Sequence, residues 1–291
     1  MEINETAVLD DRGFIQINGN EAKDFLQNII TNDIDKAKDN FALFSSIFTP
    51  QGKYLYEFFI LKIEEGFLLE CEKESAQEII KIFNFYKLRS KVNLVDVSNK
   101  YTSLIISLEK FKKINTAQDL KFYSIIFLDS RNENLGAKII LKKENVQDAI
   151  KNLDLNTINK QKYYSKSFHL GIPQINLFKL KDKIFGIENN LDELNGIDFK
   201  KGCYIGQENT SRIKLRNKLR RRILPIIKIA GEIYENDKIK YKDSEIGKVM
   251  IDKPYPFALI KVVEPSLEKF VNVELVCGQS KIKIFKPKWI T

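Results

Sequence analysis

The amino-acid sequence predicts an α+β fold that ends in a small all-β domain. Up to about residue 222, segments that alternate apolar and polar residues are interspersed with a few amphipathic helices. Beyond that point only short strands are predicted, and turn residues separate them at roughly the 8–12-residue spacing of a sandwich or barrel. The 291 residues are enough for a large buried core. We therefore expect a main domain over residues 1–222 and a β domain over residues 223–291.

The N-terminal part of the main domain predicts a strand, a helix and a hairpin. Phe14–Ile17 alternates as a strand does, and Asn20 in the next turn is a suitable cap for a helix over Glu21–Ile30. The apolar residues of that helix recur at the spacing of one buried face. A turn sequence separates two segments rich in aromatic and β-branched residues, Phe41–Phe48 and Lys53–Ile63, which indicates a hairpin.

The same patterns predict the remaining elements. In the main domain we expect further strands at Phe67–Cys71, Val92–Val97, Tyr101–Ser107, Phe122–Leu128 and Ala137–Leu141, and helices at Glu74–Leu88, Asn145–Leu153 and Thr157–Phe168. In the β domain we expect strands at Ile223–Ile229, Lys238–Tyr241, Glu245–Ile251, Phe257–Val263, Val271–Val276 and Lys281–Phe285.

The charge balance is basic, with 48 lysine and arginine residues against 39 aspartate and glutamate residues and a formal net charge of +9. A basic excess favours anionic partners. Most of the basic residues are lysines, however, and lysines are typical of solvated surfaces. Arginine is more informative, because five of the eight arginines lie between Arg212 and Arg222.

Composition also argues against several classes of protein. No apolar run approaches the ~18–20 residues that span a bilayer. The acidic start, Met1–Glu5, has neither a basic segment nor an apolar core, so we expect no signal or transit peptide. Three isolated cysteines and a single histidine, His169, argue against a disulfide framework and a multi-histidine metal centre. We expect a cytoplasmic protein in which His169 is structural.

One short segment concentrates residues able to carry chemistry: Lys201-Gly202-Cys203-Tyr204-Ile205-Gly206-Gln207-Glu208. Its glycines permit a positive φ angle or a close backbone approach. The cations of Lys200 and Lys201 would stabilise a thiolate at Cys203, and a helix that begins near Gly206 would add to the effect. The pattern fits a reactive thiol, and a buried Cys203 that packs as a small apolar side chain is the alternative. We expect Cys71 and Cys277 to be structural.

This segment resembles the signature of YgfZ-like proteins, which are folate-binding relatives of the glycine-cleavage aminomethyltransferase (GcvT, or T-protein) and support iron–sulfur protein maturation. The resemblance runs from about residue 14 to about residue 222. Besides the signature, it is carried by Gly19, Asp24–Gln27, Thr31–Asp33, Thr49–Lys53, Leu88–Val92, His169–Pro173, Ile187–Leu191 and Gly196–Phe199.

The resemblance implies a GcvT-like folate-binding fold, with antiparallel-sheet subdomains around a central cleft and a small C-terminal β barrel. It implies tetrahydrofolate or a related reduced folate as the cofactor, iron–sulfur client or assembly proteins as partners, and a link to tRNA modification. Cys203 is the residue that we expect to act chemically. The cofactor-binding candidates are Glu57, Glu188, Asn190, Lys201, Gly202, Tyr204, Gly206, Gln207, Glu208 and Arg212.

Two of these candidates, Glu57 and Glu188, have alternative interpretations. Glu57 lies where the aminomethyltransferases carry a pair of aspartates, and here only one acid is present. The missing pair favours an accessory role in iron–sulfur cluster assembly or repair. A tetrahydrofolate-dependent aminomethyl or other one-carbon transferase is the alternative. Without a ligand, Glu57 would be an exposed strand charge and Glu188 a solvated loop acid.

The basic segment from Arg212 to Arg222 is a further candidate surface. In one continuous helix, Arg212 would lie one turn from both Glu208 and Arg216, which gives a Glu–Arg pair and a basic stripe. Such a stripe would suit the polyglutamate tail of a folate, RNA phosphates or an acidic protein face. An RNA-binding module, or a solvated helix with interdomain salt bridges, is the alternative. The basic residues of the stripe are Arg212, Lys214, Arg216, Lys218, Arg220, Arg221 and Arg222.

Overall fold

Strands dominate the fold, because β-branched and aromatic residues recur through most of the chain. The computed structural model describes residues 1–39, 41–114, 125–216 and 219–290. Its strands and helices are, in chain order, β1 (Glu5–Leu9), β2 (Arg12–Asn18), α1 (Ala22–Ile29), β3 (Leu43–Phe48), β4 (Tyr54–Ile63), β5 (Gly66–Glu72), α2 (Ala76–Lys87), β6 (Asn93–Asp96), β7 (Tyr101–Ile106), α3 (Leu108–Lys113), β8 (Ile125–Leu128), β9 (Ala137–Lys142), α4 (Val146–Asn152), β10 (Asn156–Ile158), α5 (Lys160–His169), α6 (Gln207–Leu215), β11 (Arg221–Ala230), β12 (Lys238–Tyr241), β13 (Ser244–Ile251), β14 (Phe257–Lys261), β15 (Leu275–Cys277) and β16 (Ser280–Ile284).

The chain divides into two compact units, each assembled from several stretches of sequence. The first unit comprises Met1–Ile47, Tyr56–Tyr163 and Leu194–Ile205, and the second comprises Phe48–Leu55, Tyr164–Glu193 and Gly206–Thr291. The expected domain boundary at residue 222 stays a prediction.

Two five-stranded sheets build the first unit. One has the strand order β3-β4-β5-β2-β6 and the other the order β10-β1-β7-β9-β8. Pairing is antiparallel, for example between β2 and β5, except that β1 and β10 pair in parallel. The predicted hairpin is confirmed as β3 and β4, which are neighbours in the first sheet.

The core of the first unit is layered. Phe58 of β4 makes an edge contact with Phe83 of α2, with ring centroids 6.0 Å apart. On the opposite face of the strand, the ring centroid of Phe59 lies 5.4 Å from that of Phe127, which belongs to β8 in the second sheet. Helix α4 covers the other face of that second sheet, where Ala149 joins its apolar cluster. Because β4 is covered on both faces, most of its residues are buried rather than every second one.

The last six strands close a barrel within the second unit. Strand β11 pairs with β14 along its first half and with β16 along its second half. This double pairing leaves the barrel without a free sheet edge. Aliphatic side chains such as Ile226, Val249 and Ile260 fill the interior, and Cys277 belongs to the same core.

The predicted fold class is confirmed, including the C-terminal barrel, and several local predictions need correction. Asn20 does not cap the first helix, since the N-cap is Glu21 and no side chain bonds there. The predicted helix Thr157–Phe168 begins only at Lys160, because the preceding residues pair with β1 as β10. Strand β1 and helix α3 were not predicted. Part of the predicted strand Phe122–Leu128 lies outside the described residues. Among those described, no helix is long and apolar enough to cross a membrane.

Candidate functional site

Lys201 fastens the signature segment, Lys201–Glu208, to the end of helix α1. Its ammonium donates hydrogen bonds to the carbonyl oxygens of Gln27, Ile30 and Asn32 at 2.7, 2.8 and 3.0 Å. The last carbonyls of a helix lack partners within the helix and carry partial negative charge, so a cation is stabilised there. An ammonium has three N–H donors, and here each has a carbonyl acceptor.

Burial determines the chemistry of Lys201 and Tyr204. Loss of hydration lowers the pKa of Lys201 to about 8, although the carboxylates of Asp33 and Asp198 oppose that change. Tyr204 is buried, and its ring centroid lies 5.2 Å from the Lys201 ammonium, which suits a cation–π contact. Burial, with Asp198 nearby, raises the pKa of the Tyr204 phenol. Both side chains belong to the buried base of the signature segment.

The residues just before the signature segment are held by the same part of the first unit. Thr31 Oγ1 donates to the carbonyl of Gly196 at 2.6 Å, and the amide of Asp198 donates to the carbonyl of Thr31 at 3.0 Å. Two sequence blocks that carry the resemblance, Thr31–Asp33 and Gly196–Phe199, are therefore in direct contact.

Cys203 is exposed, in contrast to the other two cysteines. Burial raises the pKa of the Cys71 thiol to about 12 and that of Cys277 to about 11. Of the three thiols, Cys203 is thus the one that solvent reaches, and the alternative of a buried packing residue is wrong. The Lys201 ammonium, which the sequence places beside this thiol, donates its hydrogen bonds to three backbone carbonyls.

The two glycines of the signature segment have different surroundings. Gly206 has a φ of 83°, and a Cβ added there would lie 2.5 Å from the carbonyl oxygen of Thr49. Only glycine can adopt this positive φ and lie this close to the Thr49 carbonyl without strain. Gly202 is exposed, and a Cβ added to it would have no heavy atom within 4 Å. The expected need for glycine therefore applies to Gly206 and not to Gly202.

Helix α6 begins at Gln207, directly after Gly206, as the sequence predicts. Glu208 is exposed and pairs with Arg212 one turn later, with 2.5 Å between Oε1 and Nη2, which confirms the predicted Glu–Arg pair. Asn209 Nδ2 donates to the carbonyl of Gln51 at 2.9 Å. The turn that joins β3 to β4 therefore touches the first turn of α6.

Glu188 is a buried carboxylate and not a solvated loop acid. Its Oε1 accepts a hydrogen bond from Arg221 Nε at 2.8 Å, and its Oε2 accepts one from the amide of Phe185 at 2.8 Å. The ion pair with Arg221 offsets the cost of burying the charge. Each carboxylate oxygen has a further lone pair that a ligand donor can use.

Asn190 is held through both ends of its amide. Its Nδ2 donates to the carbonyl of Ile223 at 2.8 Å, and its Oδ1 accepts from Arg222 Nη1 at 2.9 Å. The backbone of Asn190 is left-handed, with a φ of 59°, which asparagine tolerates better than most residues. Its geometry indicates that Asn190 fixes the loop to β11.

A cavity of about 700 Å³ in the second unit brings two predicted site residues together, Glu188 and Arg212. Its walls combine apolar side chains with four cations and two carboxylates. The lining residues are Phe185, Glu188, Asn209, Arg212, Ile213, Leu219, Arg220, Arg221, Lys261, Val263 and Glu264. The size is typical of small-molecule sites, which span roughly 300–1,000 Å³. The arrangement suits a partly apolar ligand that carries negative charge.

Glu57 does not line this cavity and belongs to a buried ionic group of the first unit. Arg131 binds both oxygens of Asp129, at 3.0 and 2.7 Å, and its Nη1 lies 3.9 Å from Glu57 Oε1. The Arg131 guanidinium also lies 4.8 Å from the ring centroid of Phe59. The alternative of an exposed charge at Glu57 is therefore wrong.

The expected basic stripe is not one helix. Helix α6 ends at Leu215, and Arg221 and Arg222 lie on strand β11. Lys218 lies outside the described residues. Within the second unit, Arg222 Nη2 also pairs with Glu193 Oε1 at 2.6 Å, so part of the stripe serves structure. Arg212, Arg220 and Arg221 instead meet at the cavity.

Sequence reasoning missed Phe185 and Lys261 as cavity residues, and it missed Arg131 as the partner of Glu57. None of the three lies in a recognisable motif. His169 is exposed and its Nδ1 lies 2.7 Å from the carbonyl oxygen of Ser165 in its own helix, so its structural role stays a prediction. Among the residues that the structure describes, no group of three or more histidine, cysteine or acidic side chains is arranged to hold a metal ion.

Comparison with known proteins identifies relatives across most of the chain. An iron–sulfur cluster assembly factor IBA57 homologue, mitochondrial, from Neurospora crassa is 28% identical over an alignment that covers 92% of this chain and 61% of that protein. The corresponding protein of Dictyostelium discoideum is 27% identical, over 90% of this chain and 68% of its own length. The resemblance to YgfZ-like proteins is confirmed. No protein-family model matches the chain.

The chain spans about three fifths of the length of the fungal relatives that it matches. These relatives are named as mitochondrial, so the expected cytoplasmic location is wrong. Scarce cysteines indicate a reducing environment, and that property does not specify the cytoplasm. In fold, the chain is similar to the crystal structure of the glycine cleavage system aminomethyltransferase T from Bartonella henselae, with a TM-score of 0.72. That match covers 98% of this chain and 86% of the other at 12% identity.

Proposed function

We propose that this YgfZ-like chain is a reduced-folate-binding accessory factor for iron–sulfur cluster assembly or repair. The observation that carries the proposal is the collinear similarity to iron–sulfur cluster assembly factors, which covers 92% of the chain and so includes both units. The exposed Cys203 supports it, because a solvent-accessible thiol on a firmly held segment suits a role toward sulfur or iron chemistry. A link to tRNA modification would follow if iron–sulfur enzymes that modify tRNA are among its clients.

The cavity residues fit a reduced folate in size, apolarity and charge. Phe185 and the aliphatic walls would hold the flat ring system, and Glu188 would accept hydrogen bonds from its N–H groups. Arg212, Arg220 and Lys261 would bind the glutamate carboxylates. A reduced folate would supply one-carbon carriage at this place. Asn190, which is bound to β11, would act by holding the loop that presents Glu188.

An accessory role agrees better with the surroundings of Glu57 than aminomethyl transfer does. The fold likeness to aminomethyltransferase T is structural only, at 12% identity. Here the position of the aspartate pair holds Tyr56 and Glu57, both buried, and Glu57 faces Arg131. Because a general base must reach its substrate, a carboxylate enclosed in this way is a poor candidate.

Titration calorimetry with tetrahydrofolate tests the ligand half of the proposal. We expect the wild-type protein to bind, and Arg220→Glu to weaken binding about tenfold or more by placing a like charge beside the carboxylates. Lys283→Glu, an equal charge change on an exposed barrel residue, is the matched control and should leave affinity unchanged. Absence of heat at millimolar folate, or equal affinity in Arg220→Glu, would remove this cavity as the folate site.

A further inference from the structure

A tight turn with unusual backbone geometry follows helix α2. The amide of Ser90 donates to the carbonyl of Lys87 at 2.8 Å, so Leu88 and Arg89 are its central residues. Leu88 has a φ of 47° and a ψ of −110°. The first central residue of a type II′ turn has values of about +60° and −120°, and glycine dominates that position because a Cβ is strained there. A leucine therefore occupies a place suited to glycine.

The Leu88 side chain is too exposed for its burial to offset this strain. Leu88 is 86% exposed, and Phe85 in the last turn of α2 is 74% exposed. A large apolar side chain that stays in water gains almost none of the free energy of burial. Leu88 also lines an open groove of about 670 Å³, together with Glu21, Arg89 and Ser90. Two exposed apolar side chains beside a groove are typical of a contact surface.

The charges around these apolar side chains are mostly positive. Lys87, Arg89 and Lys91 surround the turn, and among the described residues none of the three forms an ion pair. The nearby acid, Glu21, accepts a hydrogen bond from the backbone amide of Lys91. With three cations and one carboxylate, the surface has an apolar centre and a rim that is basic on balance.

We propose that this turn surface, formed by Phe85, Lys87–Arg89 and Lys91, docks an acidic segment of a protein partner. An apolar side chain of the partner would pack against Leu88, and its carboxylates would pair with the basic rim, which fixes orientation and favours acidic partners. A groove lined by Leu88, with the exposed Phe85 three residues before it, suits a protein segment. An anionic bilayer is matched by the broad apolar face of an amphipathic helix instead. The inference does not depend on folate binding or on Cys203.

Photo-cross-linking in native cells tests the surface directly. The probe is the full chain with Phe85→p-benzoylphenylalanine, and cross-linked peptides are identified by mass spectrometry. We expect one dominant protein partner, linked through a peptide with more acidic than basic residues. Leu88→Gly and Arg89→Glu should each lower the yield about tenfold or more, the loss expected when an interface anchor is removed. Val276→Thr, which alters an exposed apolar residue of the barrel, is the control and should change nothing.

Thermal unfolding separates docking from stability. Leu88→Gly relieves the strain of the positive φ and removes no buried contact. The Tm of this variant should therefore stay within about 2 °C of the wild-type value or exceed it. A Tm lowered by more than about 5 °C would make Leu88 a structural residue and overturn the proposal. Cross-links to a second copy of the chain, or a yield that Leu88→Gly leaves unchanged, would also overturn it. So would cosedimentation with phosphatidylcholine–phosphatidylserine vesicles that Leu88→Gly abolishes, since that outcome assigns the surface to membranes.

Discussion

Cys203 and Lys201 are separated by one residue and have opposite surroundings. The Lys201 side chain reaches inward to three carbonyl oxygens at the end of α1, whereas the Cys203 residue is exposed. Anchoring one residue so firmly limits the positions that its neighbour can adopt. Gly202 between them is open to solvent and has no crowded neighbour. At the scale of single residues, the signature segment is an exposed thiol on a buried cationic anchor.

Alkylation should therefore distinguish the three thiols. Near neutral pH we expect iodoacetamide to modify Cys203 at least about a hundredfold faster than Cys71 or Cys277, because burial keeps those two thiols protonated and inaccessible. Mass spectrometry of timed samples gives each rate. The expectation fails if Cys203 reacts no faster than the buried pair, and a sample unfolded in denaturant, in which all three should react alike, is the control.

The two glycines of the signature segment form a matched pair of variants. Gly206→Ala should lower the free energy of unfolding by about 2 kcal/mol or more, because the residue needs a positive φ and its Cβ would meet the Thr49 carbonyl at 2.5 Å. Gly202→Ala should change it by no more than about 0.5 kcal/mol, as at other uncrowded surface positions. Urea unfolding followed by circular dichroism measures both. Equal losses in the two variants would contradict the geometry described.

Between elements, the two sheets of the first unit are joined by a buried ionic group as well as by aromatic side chains. Glu70 of β5 accepts hydrogen bonds from Lys138 of β9 at 2.9 and 2.8 Å and from Ser103 of β7 at 2.8 Å. Arg12 of β2 binds the same carboxylate at 3.2 Å. A buried carboxylate with this many donors fixes how one sheet lies on the other, since any slip would leave charges unpaired.

Acid unfolding tests the role of Glu70. Burial disfavours its ionised form, but the charges of Lys138 and Arg12 outweigh burial and hold the pKa at about 2, below the ordinary 4.5. The ionised carboxylate therefore contributes stability above about pH 4.5, and that contribution is lost as the pH falls toward 2. Glu70→Gln should cost about 3–5 kcal/mol at neutral pH, because it leaves two cations without their counter-charge. Its stability should also fall less steeply than wild type below pH 4.5.

Urea unfolding between pH 2 and 7 measures the free energy of unfolding of Glu70→Gln at neutral pH and its fall below pH 4.5. The control is Glu64→Gln, at an exposed position in the turn between β4 and β5 of the same sheet. The Glu64 variant should follow the wild-type curve. A Glu70 variant as stable as wild type, with the same acid slope, would show that the ionic group does not join the sheets.

The elements that sequence patterns predict well are those set by local chemistry. The strands of the barrel were predicted because alternating residues end at turn residues, as at Lys238–Tyr241. The stripe from Arg212 to Arg222 was predicted as a helix from charge spacing alone. Arg221 pairs with Lys261 in an antiparallel ladder, and this tertiary pairing overrides the local preference for a helix.

The site was predictable in part, for a similar reason. The signature segment and Cys203 stand out because they are contiguous, and Glu188 was selected through the resemblance. The Glu188–Arg221 pair joins residues 33 positions apart, and Lys201 reaches a carbonyl 174 positions away, so neither contact leaves a local pattern. Contacts of this kind become visible only once the chain is folded.

For the molecule as a whole, the similarity to assembly factors extends over both compact units. An aminomethyltransferase fold is thus combined with a signature segment centred on an exposed cysteine. In the second unit, the cavity with Glu188 at its wall is the place where we propose that a reduced folate binds. The proposed role needs both features, and the thiol is the one that a fold likeness alone does not explain.

The most direct measurement of this role is iron–sulfur enzyme activity in cells whose own assembly factor of this type has been deleted. Wild-type chain and the control Cys277→Ala should both restore activity, because Cys277 only packs in the barrel core. Cys203→Ser should fold, since its side chain is exposed, and should leave activity at the level of cells without the protein. Restoration by Cys203→Ser to the wild-type level would contradict the account.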